Sequence, residues 1–508
     1  MGLVAMIDGE IGVLNRFGFP WMRRDSHEYD NQIDEYISYY IPLRGHIKSL
    51  FFMEQDRLEE IEIDSARLPS VKEVIFCRCS LQKLPRLLHL FPHLQRLSLI
   101  KCGIQRIDES IGDFKMLRDL EIIENHPVPE FDISREILGC TKLQRIKMKG
   151  HFTEIPAVIW ALKGLKHLDL GLNDIENLPP EIGKLTYLHT FQMPQNKLTT
   201  FPRELGNLRY LHTLDLSMNK ISSIPTGLNG LKNLISLKLH TNRIREIPEF
   251  VKGLKKLKIL ELGANKISSY HQELADLKEL QVFSLNRNNI ESLAADTQFP
   301  PNLRSFSISE NKLTTDGAVF AALKSLEDLD LTFNRITTFS HEFGGLTALK
   351  ELFISGNPLK PLPLVVCQLA NLEYLYFSNL ASKQIPAEIV QLKKLKWLKI
   401  DYIIFTEPPQ WLLNMPWLRE VAFHGEDPYG SIWPWHYLLT YTRTDNERNY
   451  GISQKNIVKM YEESQTWSPA TILDMLSNNR SPRWWWLKHH ELQKFTSFLL
   501  EKAGQLQT

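Results

Sequence analysis

The sequence predicts a solenoid of the α/β class, a stack of short repeats that share one parallel β-sheet. Three observations support this prediction. A leucine recurs every 23 residues, apolar and polar residues alternate after each of these leucines, and an asparagine recurs at the ninth position. The leucines that set this period are Leu188, Leu211, Leu234, Leu257, Leu280, Leu303, Leu326, Leu349, Leu372, Leu395 and Leu418.

The repeat from Leu211 to Asn233 shows how these residues specify local structure. Leu214 and Leu216 alternate with polar residues at period two, which indicates a strand with one buried face. The partners of this strand lie in the next repeat, so the strands are expected to form a parallel sheet. Pro225 fixes φ and prevents the strand from continuing, and the chain then returns to the start of the next repeat.

The recurring asparagine is predicted to be structural. A buried carboxamide can donate to and accept from the open backbone groups where the chain turns after each strand. Cys79 and Cys102 occupy this position in two early repeats and are expected to be buried, whereas His151 is expected to disturb the ladder. Leu380 and Ile403 replace the asparagine near the other end, where we expect irregular stacking. The asparagines are Asn173, Asn196, Asn219, Asn242, Asn265, Asn288, Asn311, Asn334 and Asn357.

The pattern LxxLxLxxNxIxxIPxxIGxL resembles the leucine-rich repeat family, in particular its intracellular class of 23-residue repeats found in Ras-pathway scaffolds and in bacterial and plant proteins. Weaker repeats extend the resemblance to residues 47–423, which gives 17 repeats. The resemblance implies a curved solenoid whose parallel sheet lies on the concave side. The weaker repeats begin at Ile47, Val71, Leu94, Leu117, Leu143 and Leu165.

A solenoid needs caps on its terminal repeats, and the sequence offers a flank at each end. Residues 1–46 are predicted to form an N-terminal cap with helical character. Residues 424–508 lose the period and are predicted to form a C-terminal helical, tryptophan-rich domain. This domain either only caps the last repeat or also provides a second contact surface.

Large side chains lie at predicted outward positions near the C-terminal end of the array. Counting the leucine as position one, positions three, five, seven and eight are expected to point away from the core. Exposed aromatic residues side by side are typical of protein-binding hot spots, although the C-terminal domain could instead fold back over them. The predicted partner-binding residues are Phe333, Phe353, Tyr374, Tyr376, Trp397, Lys399, Asp401 and Tyr402.

Two further groups of outward residues lie in the early repeats. An apolar row that includes Phe51 and Ile75 is expected to be covered by a terminal flank. A basic stripe that includes Arg96 and Lys147 has acidic residues such as Glu121 between its members. Mixed signs, together with a net charge of +1, argue against a track for nucleic-acid phosphates. We therefore expect protein partners, with no nucleic acid and no membrane.

The sequence contains no recognisable catalytic arrangement, and we expect no enzyme, no cofactor and no metal site. His490 and Glu491 begin like a zinc-binding HExxH helix, but Lys494 stands where the second histidine is needed. The five cysteines are an odd number and do not cluster at the ends of the array, which is typical of a reducing compartment. With no signal-peptide pattern at its start, the chain is predicted to be cytoplasmic.

Two functions remain open from the sequence. The first is a non-catalytic protein-binding scaffold that uses its concave face and its C-terminal helical domain. The alternative, which rests on the family resemblance alone, is a regulatory subunit that controls a partner enzyme such as a signalling phosphatase, kinase or small GTPase.

Overall fold

The structure is a computed structural model that describes residues 3–7, 47–53, 70–124, 131–359, 361–377, 385–401, 410–424 and 451–452. The chain divides into two compact units, an N-terminal unit of Met1–Lys266 and a C-terminal unit of Ile267–Thr508. Each unit is built from the predicted repeats. In both units a strand begins two residues after the first residue of each repeat, except in the first repeat, where it begins at Ile47 itself; this confirms the predicted α/β repeat solenoid.

The N-terminal unit contains a parallel sheet in which each repeat adds one strand. The register is constant: Leu214 of one strand lies between Phe191 and Leu237 of its neighbours. The strands of this unit are β1 (Leu3–Ile7), β2 (Ile47–Met53), β3 (Glu73–Cys77), β4 (Arg96–Ile100), β5 (Arg106–Ile107), β6 (Asp119–Ile123), β7 (Asp132–Ile133), β8 (Arg145–Lys149), β9 (His167–Asp169), β10 (Thr190–Gln192), β11 (Thr213–Asp215), β12 (Ser236–Lys238) and β13 (Ile259–Glu261). The short strands β5 and β7 form a separate parallel pair.

The C-terminal unit has the same construction. Its strands are β14 (Val282–Ser284), β15 (Ser305–Ser307), β16 (Asp328–Asp330), β17 (Glu351–Phe353), β18 (Tyr374–Phe377), β19 (Trp397–Asp401), β20 (Glu420–His424) and β21 (Gly451–Ile452). From β14 to β20 each strand pairs in parallel with the next.

The returning segments are 3-10 helices in almost every described repeat. A repeat of 23 residues leaves only about one turn for the return, and the tighter 3-10 helix suits such short pieces. The 3-10 helices are Arg86–Leu90, Glu109–Asp113, Arg135–Gly139, Ala157–Ala161, Pro180–Lys184, Arg203–Asn207, Leu228–Gly230 and Glu249–Gly253 in the N-terminal unit, and Gln272–Asp276, Ala318–Ala322, His341–Gly345, Leu364–Gln368 and Ala387–Gln391 in the C-terminal unit. One short α-helix, α1, spans Gln410–Leu413.

The core of each unit lies between its sheet and its 3-10 helices. The leucines that set the period are buried, and so are the apolar residues at positions four and six. Leu214, Leu216 and Leu228, for example, are each 0% exposed, and together they join one strand to its returning helix. Burial of one face of every strand and helix by its neighbours is what stabilises a repeat stack.

The asparagine ladder is present as predicted. The carboxamide nitrogen of Asn219 donates to the carbonyl oxygens of Leu216, at 3.1 Å, and of Met193 in the preceding repeat, at 3.0 Å. Its Oδ1 accepts from the backbone N–H of Leu198 at 3.0 Å. Asn196 and Asn242 repeat this pattern one repeat earlier and one repeat later. Each asparagine therefore ties its own turn to the repeat before it.

The early repeats depart from the ladder as expected. Cys79 and Cys102 are buried, and the thiol of Cys102 lies 3.4 Å from the carbonyl oxygen of Phe76. His151 is exposed and turned outward, and its Nδ1 lies 2.9 Å from an Asp174 carboxylate oxygen. The strands of the Cys79, Cys102 and His151 repeats are five residues long, whereas the repeats from Asn173 to Asn357 have three-residue strands. The repeat that begins at Leu117 also has a five-residue strand although Asn125 stands at its ninth position, so the longer strands are shared by the early repeats and do not follow the asparagine alone.

The outer strand of each unit is covered by an antiparallel strand. At the N-terminal end, β1 pairs with β2, and at the C-terminal end, β21 pairs with β20. An added strand satisfies backbone groups that an open sheet edge would expose. For the predicted N-terminal cap the structure describes only Leu3–Ile7, which is a strand and not a helix. The segments predicted as helical, in residues 31–41 and beyond Ile452, lie outside the described residues.

Candidate functional site

The candidate site lies on the open face of the C-terminal unit, meaning the face of the sheet whose side chains point away from the core. The parallel register aligns equivalent positions of successive repeats into rows. The position-three row runs from Asp328 through Glu351 and Tyr374 to Trp397. The position-five row beside it runs from Asp330 through Phe353 and Tyr376 to Lys399. Each row therefore begins with carboxylates and continues into aromatic rings.

The aromatic rings contact each other across the strands. Tyr374 stacks on Trp397 with ring centroids 5.5 Å apart and an interplanar angle of 20°. Phe353 and Tyr376 meet edge to face at 6.3 Å and 82°. The Lys399 ammonium lies 4.6 Å from the centre of the Tyr376 ring, at cation–π distance. These contacts hold the rings in fixed orientations on a rigid sheet.

Phe333 completes this surface from position eight. Its φ of 52° lies in the left-handed region, which a large side chain adopts at a cost of roughly 1–2 kcal/mol. The ring lies over Gly356, where an added Cβ would come within 2.3 Å of it. Glycine at 356 thus leaves room for the ring and also adopts a φ of 66° itself. Phe333 remains 61% exposed.

Position eight is left-handed in most described repeats, a feature that the sequence did not reveal because the residue types vary. Met218 and Arg287, for example, have φ values of 55° and 54°. At position seven Ser309 and Ser355 are buried, yet the Ser309 hydroxyl lies 3.2 Å from the Ser307 hydroxyl at position five, on the open side of the sheet. Positions three, five, seven and eight therefore form the open face.

We call Phe333, Phe353, Tyr374, Tyr376 and Trp397 the aromatic patch. The structure brings all of these predicted residues together, with Lys399, around a depression of about 420 Å³. For Asp401 the structure describes the backbone, as the last residue of β19, and Tyr402 lies outside the described residues. The depression is lined by Ser309, Glu310, Asp330, Thr332, Phe333, Phe353, Tyr374, Tyr376, Trp397, Leu398 and Lys399.

Carboxylates border the aromatic patch. Burial raises the pKa of Asp328, and the nearby Asp330 charge raises it further, although a 2.7 Å hydrogen bond from Ser305 opposes this shift. Burial also raises the pKa of Glu351, with smaller contributions from Asp328 and Glu373. The site prediction did not include Glu351, although its place at position three was available from the repeat register.

Lys399 is the basic group at the opposite end of the position-five row. Burial beside the aromatic rings lowers its pKa below the ordinary lysine value. The open face therefore changes from acidic at Asp328 and Asp330 to aromatic in the middle and basic at Lys399.

Charged side chains on the open face of the N-terminal unit form pairs across the strands. Arg96 contacts Glu73 at 2.7 Å and Asp119 at 3.4 Å, and Lys147 contacts Glu121 at 2.5 Å. Members of the predicted basic stripe are thus paired with acids across the strands. Such exposed pairs contribute little to stability and leave no uncompensated charge.

A cluster of rings in the N-terminal unit was not anticipated from the sequence. Tyr187 and Tyr210 stack at 5.8 Å and are 56% and 52% exposed. His189 lies 5.3 Å from His212 and 6.4 Å from His167, measured between ring centres. The recurrence of YLHT one repeat apart was the available signal. Burial lowers the pKa of His167 and of His212, and the nearby His189 adds to both shifts.

The described residues contain no group of three or more His, Cys, Asp or Glu side chains arranged to hold a metal ion. Among the helices that the structure describes, none has the length and apolar character needed to cross a membrane.

The repeats of this chain are similar to those of known proteins. Residues 181–307 match the family described as leucine-rich repeat region, and residues 301–359 match the leucine rich repeat family. The human volume-regulated anion channel subunit LRRC8E is 30% identical over 94 residues, which are 18% of this chain. The chain spans only 11% of the length of that curated relative.

Solved structures share the fold over a larger part of the chain. A leucine-rich repeat protein of Leptospira interrogans has 28% identity and a TM-score of 0.63, covering 70% of this chain and 90% of that one. TLR13, solved as a complex with the RNA ssRNA13, has 20% identity and a TM-score of 0.59, covering 74% and 60%. At that identity the likeness shows the fold alone. Periodicity, strand register, asparagine ladder and these matches agree, and the chain contains leucine-rich repeats.

Proposed function

We propose that this chain is a non-catalytic scaffold that binds a partner protein through the aromatic patch. Leucine-rich repeat proteins are generally non-catalytic binding surfaces, which supports the broad class. The observation that carries the specific proposal is the stacked pair of Tyr374 and Trp397 beside the 61% exposed ring of Phe333.

Stacked rings favour binding because they bury a large area at a small cost in conformational entropy. Rings that are already stacked lose little conformational freedom on binding, so burying them contributes more affinity than burying flexible side chains. The depression of about 420 Å³ offers a concave place for one or two partner side chains. Hot spots are commonly of this kind, with aromatic anchors near the centre of an interface.

We also propose a cellular location for the protein. This location is reducing and cytoplasmic, because the five cysteines are an odd number and do not cluster at the ends of the array. We also propose that the C-terminal flank provides a second contact surface. Whether the partner is an enzyme under regulation is a separate question that a measurement of the partner's turnover, with and without this chain, would answer.

The test compares three full-length proteins as bait in an affinity capture from the native source. In Trp397→Ala the stacked partner of Tyr374 is removed. In the control variant Tyr187→Ala a stacked, exposed ring is removed from the N-terminal unit instead. We expect partner proteins that are retained by the wild type and the control but lost from Trp397→Ala, with affinity reduced about thirtyfold for a hot-spot loss of about 2 kcal/mol.

Two control measurements test whether the variants remain folded and whether the aromatic patch is accessible in the free protein. Melting temperatures of both variants should stay within a few degrees of the wild type, because the two rings lie at the surface. Hydroxyl-radical footprinting of the free protein should oxidise Tyr374 and Trp397 as readily as Tyr187. Protection of the patch in the free chain would mean that the C-terminal flank covers it, and equal capture by all three proteins would refute the proposed site.

A further inference from the structure

We propose that the aromatic patch recognises a basic protein segment, whose lysine or arginine sits between Asp328 and Glu351 while an adjacent apolar side chain packs on Tyr374 and Trp397. This inference rests on the proposed function and specifies the chemistry of the partner. The partner is a segment with a cationic residue next to a large apolar residue.

Charges are arranged differently in the neighbouring rows at positions two and three. At position two, acids and bases alternate from Glu327 to Lys350 to Glu373 to Lys396. Lys350 lies 2.5 Å from Glu327, and Lys396 is likewise paired with Glu373. This row neutralises itself without any partner.

At position three, by contrast, two acids stand next to each other. Asp328 and Glu351 are direct neighbours across the strands, and Asp330 lies two residues beyond Asp328. Within the part of the chain that the structure describes, no lysine, arginine or histidine nitrogen lies within 4.0 Å of these three carboxylates. Asp328 accepts a hydrogen bond from Ser305, and Asp330 accepts hydrogen bonds from Ser307 and from the Thr332 backbone N–H; all three donors are neutral. An incoming cation would supply the missing charge.

The ring next to Glu351 in this row is that of Tyr374. Glu351 is the register partner of Tyr374, and strands lie about 4.8 Å apart, so one cation can reach both carboxylates and the tyrosine ring. A cation within about 6 Å of an aromatic ring centre is attracted to its face. Lys399 over Tyr376 already shows this contact in the adjacent row, with 4.6 Å between them.

The apolar side chain of the segment has a ring surface to pack on. Trp397 lies one strand beyond Tyr374 and stacks on it, so the residue next to the cation meets a flat ring surface. An acidic segment would instead bring its charge against Asp328 and Glu351, whose own ionisation is already disfavoured by burial, with repulsion from Asp330 acting on Asp328 and repulsion from Asp328 acting on Glu351. Like-charge contacts of this kind exclude wrong partners.

The experiment selects phage-displayed random 12-residue peptides on the full-length protein, with Trp397→Ala as the subtractive target. We expect the binders that depend on Trp397 to be enriched in lysine and arginine over aspartate and glutamate, relative to the input library. The most enriched peptide is then synthesised and measured by fluorescence anisotropy. The double variant Asp328→Asn, Glu351→Gln should bind it at least tenfold more weakly.

The control variant is Glu273→Gln, which removes an exposed negative charge from a 3-10 helix of the same unit and should leave the affinity unchanged. Raising the salt from 50 mM to 500 mM should weaken the wild-type complex and have little effect on the double variant. Trp397-dependent binders of neutral or acidic composition would overturn this inference but leave the proposed function intact. An absence of any Trp397-dependent binder would overturn both.

One further outcome concerns the chain itself, because its C-terminal flank contains the basic, aromatic sequence Arg483-Trp-Trp-Trp-Leu-Lys488. The variant Arg483→Ser, Lys488→Ser should bind the selected peptide as the wild type does. More than tenfold tighter binding by this variant would overturn the assignment to a partner protein, because it would mean that the C-terminal flank itself occupies the site.

Discussion

Replacing Asn219 by alanine tests whether the ladder holds the repeats together. The side chain is buried, with 9% of its surface exposed, and it serves two repeats at once. Alanine removes the acceptor for the Leu198 N–H and the donors to the carbonyl oxygens of Met193, Leu216 and Ser217. These two losses have different consequences.

The carbonyl oxygens keep other partners. Asn196 also donates to the Met193 oxygen, Asn242 to the Leu216 oxygen, and the Gln195 N–H to the Ser217 oxygen. Among the residues that the structure describes, only the Asn219 side chain accepts from the Leu198 N–H. Leaving one buried amide without a partner costs about 1–3 kcal/mol, and the lost packing adds to this. We expect Asn219→Ala to lower the free energy of unfolding by about 2–3 kcal/mol.

Cysteine at the same position sharpens the test, since the chain itself uses Cys79 and Cys102 there. In that early pair the Leu81 N–H bonds to the backbone oxygen of Cys102 at 2.9 Å, so no side-chain acceptor is needed. The Leu198 N–H depends on a side-chain oxygen instead. Asn219→Cys should therefore destabilise the protein nearly as much as alanine does.

The assay is urea unfolding followed by circular dichroism, with the midpoint compared at constant m-value so that the free-energy difference is meaningful. Asn233→Ala is the matched control, because Asn233 makes a solvent-exposed hydrogen bond to the Arg209 oxygen at 2.8 Å. This control should stay within about 0.5 kcal/mol of the wild type. An Asn219→Ala protein within that same range would refute the reasoning.

Three other predictions concern single positions. Gly356→Ala should destabilise the protein by at least about 1–2 kcal/mol, through its left-handed φ and the contact with the Phe333 ring; the added variant Phe333→Ala should recover part of this in a double-mutant cycle of urea midpoints. Because the pKa of His212 is lowered, stability is lost as pH falls through the ordinary histidine range. His212→Gln should therefore reduce the fall in melting temperature between neutral pH and pH 5, whereas His93→Gln, at an exposed histidine, should leave that fall unchanged. The raised pKa of Asp328 means that its charge destabilises the fold above that pKa; Asp328→Asn should raise the melting temperature at neutral pH, and the gain should disappear at a pH below the ordinary aspartate pKa.

The repeat register explains why so much of the candidate site was predictable. Once Leu326 and its successors were assigned position one, the outward direction of Phe353, Tyr376 and Trp397 followed from strand alternation. The structure places these residues together as expected. Glu351 could have been included on the same ground, since it occupies position three. The flanks were less predictable because they have no period to fix the direction of a side chain.

The sequence by itself determined the repeat, the strand positions, the buried asparagines and the residues of the open face. It could do so because a strict period places every residue relative to the core, whatever the neighbouring repeats contain. The tertiary structure decided what depends on contacts between repeats: that Tyr374 stacks on Trp397, that position two is paired, and that Asp328 faces Glu351. It also decided that the Leu81 amide needs no asparagine while the Leu198 amide does. These are distances between atoms far apart in the chain, and only the stacking of one repeat on the next sets them.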